Sequence, residues 1–232
     1  MTEDNDAPNR GAAAWRQAAT ALLLVPALGF GLWLWGDAQG NTPASGSEQR
    51  PVTCVDGDPG KQTPHLSGKQ LCETLYRPDL ADLLGTPGQR AKSAGGGNGV
   101  VRIGSSGKEV ATPSARVEFE TYTVTLSATY GSLTVATSAK LLGDGAPPRT
   151  VLGRPAAFYS DRTIRIGFRP GGSDSGSSAG LPARVLMVAQ DAQDGGNTYE
   201  VTLWRADGAV PDDAVVLRVA EAVLPTLPGW TP

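Results

Sequence analysis

His65 is the only histidine in this chain of 232 residues, which also has just two cysteines and two methionines. Such scarcity limits the chemistry available. A zinc site needs about four N, S or O ligands, and Cys54, Cys72 and His65 alone do not supply them. A CxxC redox pair is absent. A triad-type hydrolase would have to build its base on His65. Aromatic residues make up only 6% of the chain, so any core is mainly aliphatic. An excess of basic charge is missing too. Lys plus Arg is 20 against 23 for Asp plus Glu, a net charge of −3, which argues against nucleic acid and against a polybasic membrane patch.

Charge of either sign is missing from one stretch, Gln17–Gly36 (QAATALLLVPALGFGLWLWG), bracketed by Arg16 and Asp37. As a helix, these residues span roughly 30 Å, the thickness of a bilayer's hydrocarbon core. Eight of them (Leu22, Leu23, Leu24, Val25, Leu28, Phe30, Leu32 and Leu34) contribute roughly −2 to −5 kcal/mol of insertion free energy. Trp15 stands at one end and Trp33 and Trp35 at the other, as in an interfacial aromatic belt. Arg10 and Arg16 precede the stretch, and no Lys or Arg occurs from Asp37 to Gln49. The positive-inside rule then predicts a cytoplasmic N-terminus and an extracytoplasmic remainder. A cleaved signal peptide is the main rival, since Gly36-Asp37-Ala38 has the small-x-small pattern, but its apolar region would be roughly 7–15 residues. A lipidated anchor lacks its cysteine, the first being Cys54.

The chain therefore divides into a cytoplasmic tail (1–16), a transmembrane helix acting as an uncleaved signal-anchor (17–36), a Gly/Ser/Pro-rich tether (37–51) and an extracytoplasmic domain (52–232). The expected location is the cell membrane, single-pass. Cys54 and Cys72 both follow the anchor, and two cysteines in an oxidising compartment read as a disulfide. The alternative is two free buried thiols. The bridge would close a loop of about 18 residues, worth roughly 3 kcal/mol in the chain-entropy model.

Within the domain, Ser67 and Gln70 form a capping-box pattern ahead of Leu71, Cys72 and Leu75, which predicts a helix. Pro78 stops it and opens a second short helix, PDLADLLG, ended by Gly85. Gly95–Gly99 (GGGNG) reads as a loop. Strands are then expected at Val100–Ile103 and over the long run Arg116–Tyr130, with Leu133–Ser138 as its hairpin partner. Further strands are expected at Ala156–Tyr159, Thr163–Phe168, Arg184–Ala189 and Tyr199–Trp204. Gly171–Gly180 reads as a mobile loop. A final helix follows Pro211, with Asp212 and Asp213 at its positive end and Val215, Val219, Ala222 and Val223 on one face. Helices, then strands, then a helix predict an α+β domain with a mainly antiparallel sheet and helices packed on one face.

No catalytic motif is complete. Ser105–Lys108 fits S-x-x-K, but no K-T-G partner exists. Ser173-Asp174-Ser175-Gly176 misses G-x-S-x-G because Asp174 stands at the central position. A cell-wall-directed serine hydrolase, the alternative function, would rest on Ser105 or Ser175. Glu118 and Glu120 share a strand face, where cross-strand pairing with an arginine such as Arg165 is expected rather than acid/base chemistry. Arg162, Arg165 and Arg169 have the charge to bind an anionic polymer. No cofactor, metal ligand or catalytic residue is expected. The function predicted is that of a non-catalytic binding or interaction domain held at the membrane, with an envelope protein or cell-wall polymer as partner.

The stretch Cys72–Gly88, CETLYRPDLADLLGTPG, resembles a family of actinobacterial single-pass envelope proteins of unknown function. Its members open their domain with a C-x-x-L-x-R-P-D-L-x-x-L-L-G-T-P block. GRPAAFYSDRTIRI at 153–166 and the last helix fit the same pattern, so the resemblance spans residues 50–230. It implies membrane anchoring and carries no known activity or site residues. The order of elements is also distantly similar to lipoprotein domains of the Mog1/PsbP-like kind, without their lipidation cysteine.

Overall fold

Alternation of apolar and polar residues along the strands decides this architecture, because successive side chains point to opposite faces of a sheet. In the computed structural model, residues 52–56, 65–103, 107–142, 146–168 and 175–230 are described. The expected tail, transmembrane helix and tether all lie outside the described residues. Among the described residues, no helix is long and apolar enough to cross a membrane.

Eight strands form one sheet: β1 (Val55–Asp56), β2 (Ser93–Ile103), β3 (Lys108–Glu118), β4 (Tyr122–Tyr130), β5 (Pro148–Val151), β6 (Arg154–Phe168), β7 (Ser175–Ala189) and β8 (Asn197–Arg205). Their order is β1-β2-β3-β4-β8-β7-β6-β5. Only β1–β2 is parallel; every other pairing is antiparallel. The α+β expectation with a mainly antiparallel sheet therefore holds.

The first face carries the main core. Helices α1 (Gly68–Leu75), α2 (Leu80–Leu83) and α4 (Asp213–Val223) bury Leu71, Leu75, Leu80, Val216, Val219 and Val223 there, against Val117, Val124, Leu126, Phe158, Leu186, Val201 and Leu203. Each such side chain contributes about 1.5–3 kcal/mol on full burial. Helix α1 starts as its sequence predicts. Ser67 Oγ accepts from the Gln70 N–H at 3.2 Å, and Gln70 Oε1 accepts from the Ser67 N–H at 2.8 Å. Cys72 on α1 is bonded to Cys54, so the disulfide ties the chain entering β1 to the first helix. The buried stripe of α4 is Val216, Val219, Ala220 and Val223, whereas Val215 and Ala222, expected on that face, are only partly buried.

Several sequence expectations are corrected by tertiary contacts. Gly95–Gly99 is not a loop but the middle of β2. Its glycines let α1 settle directly on the strand backbone: a Cβ at Gly96 would lie 2.0 Å from the Gly68 carbonyl oxygen. The Arg116–Tyr130 run is two strands, broken at Phe119–Thr121. Leu133–Ser138 is not a hairpin partner. Helix α3 (Val135–Leu142) forms there: Thr134 Oγ1 accepts the Thr137 N–H at 3.0 Å, and the Asp194 carboxylate in the β7–β8 turn accepts the Val135 and Ala136 N–H groups at 2.7 and 3.1 Å. The second is a helix cap supplied from 59 residues away in sequence. Ala156–Tyr159 and Thr163–Phe168 are one strand, β6, and the second half of Gly171–Gly180 belongs to its partner β7. Nor are all helices on one face. Helix α3 packs on the second face, with Val135 and Ala139 against Ala157, Tyr159, Val185 and Met187.

Candidate functional site

Helix α3 covers only the β6–β7 side of the second face. Over β3, β4 and β8 that face has no helix among the described residues, and its side chains are polar. The register sets them in rows. Glu118, Thr123 and Trp204 form one row across β3, β4 and β8. Arg116, Thr125 and Thr202 form the next, continued by Val185 and Tyr159 under α3. Ser114, Ser127 and Glu200 form the third, continued by Met187 and Ala157. The same strands send Val117, Val124, Leu126, Val201 and Leu203 to the opposite face. One alternating sequence therefore makes both the core and this lattice of hydroxyl, guanidinium, carboxyl and indole groups.

The lattice is not electrostatically relaxed. The Arg116 side chain is 12% exposed and its guanidinium lies 5.0 Å from the centre of the Trp204 ring. Glu118 is its carboxylate partner at 3.6 Å. Arg116 Nε and Thr125 Oγ1 are both buried without a hydrogen-bond partner, and they belong to residues directly opposite each other. A buried polar group left unmatched costs about 1–3 kcal/mol. Burial pulls the Arg116 guanidinium below its ordinary value, with Glu118 opposing. At the other side of the lattice, the Tyr159 hydroxyl donates to Glu200 Oε1 at 3.1 Å. Burial pushes the Glu200 carboxyl up to about 7, with the Tyr159 hydrogen bond opposing and the nearby Asp161 charge adding. Burial also raises Tyr159 and Asp161. The arrangement suits recognition by donors, acceptors and a flat ring; it offers no activated nucleophile.

The residues singled out from sequence are dispersed. Ser105, Ser173 and Asp174 lie outside the described residues. Ser175 begins β7 opposite Phe168, so it stands in a strand rather than at a strand-to-helix turn. His65 stacks on Tyr130 with ring centres 3.9 Å apart, and the Tyr130 hydroxyl accepts the Leu66 N–H at 3.0 Å. The imidazole is thus packed where the chain enters α1. Glu118 and Glu120 are not a pair, and neither meets Arg165: Glu118 faces Arg116, and Glu120 binds Lys92. Cys54 and Cys72 are bonded to each other. Arg116, Thr125, Glu200 and Trp204 were not legible as a group from the sequence. The available signal was the Thr-x-Thr-x-Ser alternation of Thr123, Thr125 and Ser127 within an apolar strand.

A family model described as a family of unknown function, DUF6215, matches residues 9–145. The matched span contains β1–β4 and α1–α3, hence Arg116, Thr123, Thr125 and Ser127, and it leaves β5–β8 and α4 outside. No curated protein and no solved structure matches the chain. The match bears on a family of unknown function only; actinobacterial origin and likeness to Mog1/PsbP-like domains do not follow from it.

Proposed function

The chain belongs to the family of unknown function DUF6215, and from that premise we propose that it is a single-pass membrane protein whose extracytoplasmic domain binds a partner, without catalysis, through the uncovered polar half of its sheet. The observation that carries the binding face is the pair of unmatched buried groups, Arg116 Nε and Thr125 Oγ1, set in a row of hydroxyls that no helix among the described residues covers. A ligand that draws the Arg116 guanidinium off Trp204 gives it acceptors and recovers part of the cost of burying it. The placement at the membrane is supported by the uncharged Gln17–Gly36 stretch and the preceding Arg10 and Arg16. The Cys54–Cys72 bond suits an oxidising compartment. The non-catalytic reading is supported by the lack of a complete motif and by the stacking of the only imidazole on Tyr130.

Two experiments test this. A photo-crosslinking residue placed at Thr202 in the full chain, in cells, should capture a partner, while the same group at Lys69 on the exposed side of α1 should not; equal or absent capture at Thr202 refutes the face. A C-terminal alkaline phosphatase fusion should be active, and an inactive fusion refutes the orientation. A fluorophosphonate label lost on Ser105→Ala or Ser175→Ala would overturn the non-catalytic reading in favour of a serine hydrolase.

A further inference from the structure

The β6–β7 hairpin is longer than the sheet it belongs to. The last β7 residue paired with β8 is Ala183, opposite Trp204, and β5 pairs with β6 only as far as Ala157. Beyond these, Arg162–Phe168 and Ser175–Pro182 pair only with each other. Among the described residues they form a two-stranded ribbon that extends past the strands on either side, with Thr163, Ile164, Leu181 and Pro182 half-buried. A two-stranded ribbon on its own is marginally stable in water, and this one has little core beneath it: Arg162, Arg165, Ser177, Ser178 and Ala179 are all exposed.

Its only charged residues over 162–168 and 175–182 are Arg162 and Arg165. Residues 146–184 contain six arginines, two aspartates and no lysine or glutamate, in a chain whose net charge is −3. Arg149 and Arg162 share the first face, Arg149 opposite Ala156 and Arg162 opposite Pro182. Arg165 follows a register shift in the ribbon. Among the described residues none of these three forms an ion pair; the paired arginines are Arg77, Arg102, Arg116, Arg184 and Arg205. Arg162 reaches only the Gly180 carbonyl, at 3.4 Å, and Arg149 lies over the Phe158 ring at 5.4 Å. Planar guanidinium forks bind phosphate and carboxylate groups in a bidentate manner that lysine cannot reproduce.

We propose that the β6–β7 ribbon, through Arg162 and Arg165 with Arg149 at its base, is a docking arm for a linear polyanion bearing phosphate or carboxylate groups. A soluble polymer rather than the bilayer surface is indicated by position, and this part rests on the membrane-anchored reading. The arm belongs to β7 and β6, five and six strand spacings from β1, the strand next to the tether in sequence, or roughly 24–29 Å away. The arm is separate from the polar lattice and does not depend on it.

The test uses the full chain in detergent micelles with long-chain polyphosphate as the probe and polyglutamate as the carboxylate counterpart. Wild type should bind at least one of the two, with affinity falling steeply as salt is raised. Arg162→Gln with Arg165→Gln should weaken binding at least about tenfold, the loss expected from removing charge-assisted hydrogen bonds. Arg162→Lys with Arg165→Lys, which keeps the charge and lowers the risk of misfolding, should lose less. Arg102→Gln, removing one exposed charge from β2, should change affinity less than about twofold. The proposal is overturned if wild type binds neither polymer, if the Gln pair binds as wild type does, or if the chain binds phosphatidylglycerol vesicles but not the polymers. Because binding in micelles does not depend on topology, its loss and an inactive phosphatase fusion are separate failures.

Discussion

Replacing Glu200 by glutamine should remove most of the pH dependence of stability between about pH 4.5 and 7. Glu200 sits on β8 between Ser127 and Met187 and accepts the Tyr159 hydroxyl. Burial raises its carboxyl from 4.5 to about 7. The unfolded chain therefore releases this proton first, and the folded state holds it through the intervening window. Its contribution to stability is fully present below about pH 4.5 and is lost as pH rises through about 7. At about 1.4 kcal/mol per unit, the full shift corresponds to roughly 3 kcal/mol. The side chain is partly reached by solvent, so about 1–2 kcal/mol is the expected change. Asp161, raised by burial as well, leaves a residual slope of the same sign. Glutamine matches the shape, keeps an acceptor for Tyr159 and cannot ionise. Urea denaturation of both proteins, followed by circular dichroism from pH 4.5 to 8, measures the effect. Wild type should lose about 1–2 kcal/mol across the window while Glu200→Gln stays nearly flat and is the more stable protein at pH 8. Equal slopes, or a variant less stable at pH 8, would refute the view that burial and not solvation governs this carboxyl.

Gly96→Ala should destabilise the domain by more than about 2 kcal/mol, because the new methyl meets the Gly68 backbone at 2.0 Å and a backbone cannot swing aside; an unchanged denaturant midpoint would contradict the close seating of α1 on β2. Reducing the Cys54–Cys72 bond should cost about 3 kcal/mol by the loop-closure argument, read as a fall in melting temperature with reductant that the double Cys→Ala variant no longer shows.

Where local chemistry was sufficient, sequence and structure agree. Ser67 and Gln70 cap α1 with each other, and the contacts involved are three residues apart. Asp212 Oδ1 accepts the Ala214 N–H at 2.8 Å at the start of α4. The alternation in Thr123–Ala128 marks a strand with one apolar face. Where a deciding contact comes from elsewhere in the chain, sequence and structure differ. Val135–Leu142 has enough β-branched and small residues to pass for a strand; its start is capped locally by Thr134, whose Oγ1 accepts the Thr137 N–H at 3.0 Å, and also by the Asp194 carboxylate, held at a φ of 57° in a distant turn. Gly95–Gly99 looks like a loop because glycine lacks strand propensity, yet its missing side chains are what admit α1. The candidate face was invisible for a related reason: its members come from three strands, and register alone brings Arg116, Thr125 and Thr202 abreast.

From the sequence alone came the α+β class, the uncharged segment at Gln17–Gly36, the pairing of the two cysteines and the incompleteness of every catalytic motif, since each is a matter of composition, period or short spacing. The tertiary structure alone decided which face of the sheet is left polar, that α3 caps from across the domain, and that β6 and β7 run past their neighbours as an arginine-bearing ribbon. Those outcomes depend on strand order and register, which join residues tens of positions apart through backbone hydrogen bonds that no local pattern encodes.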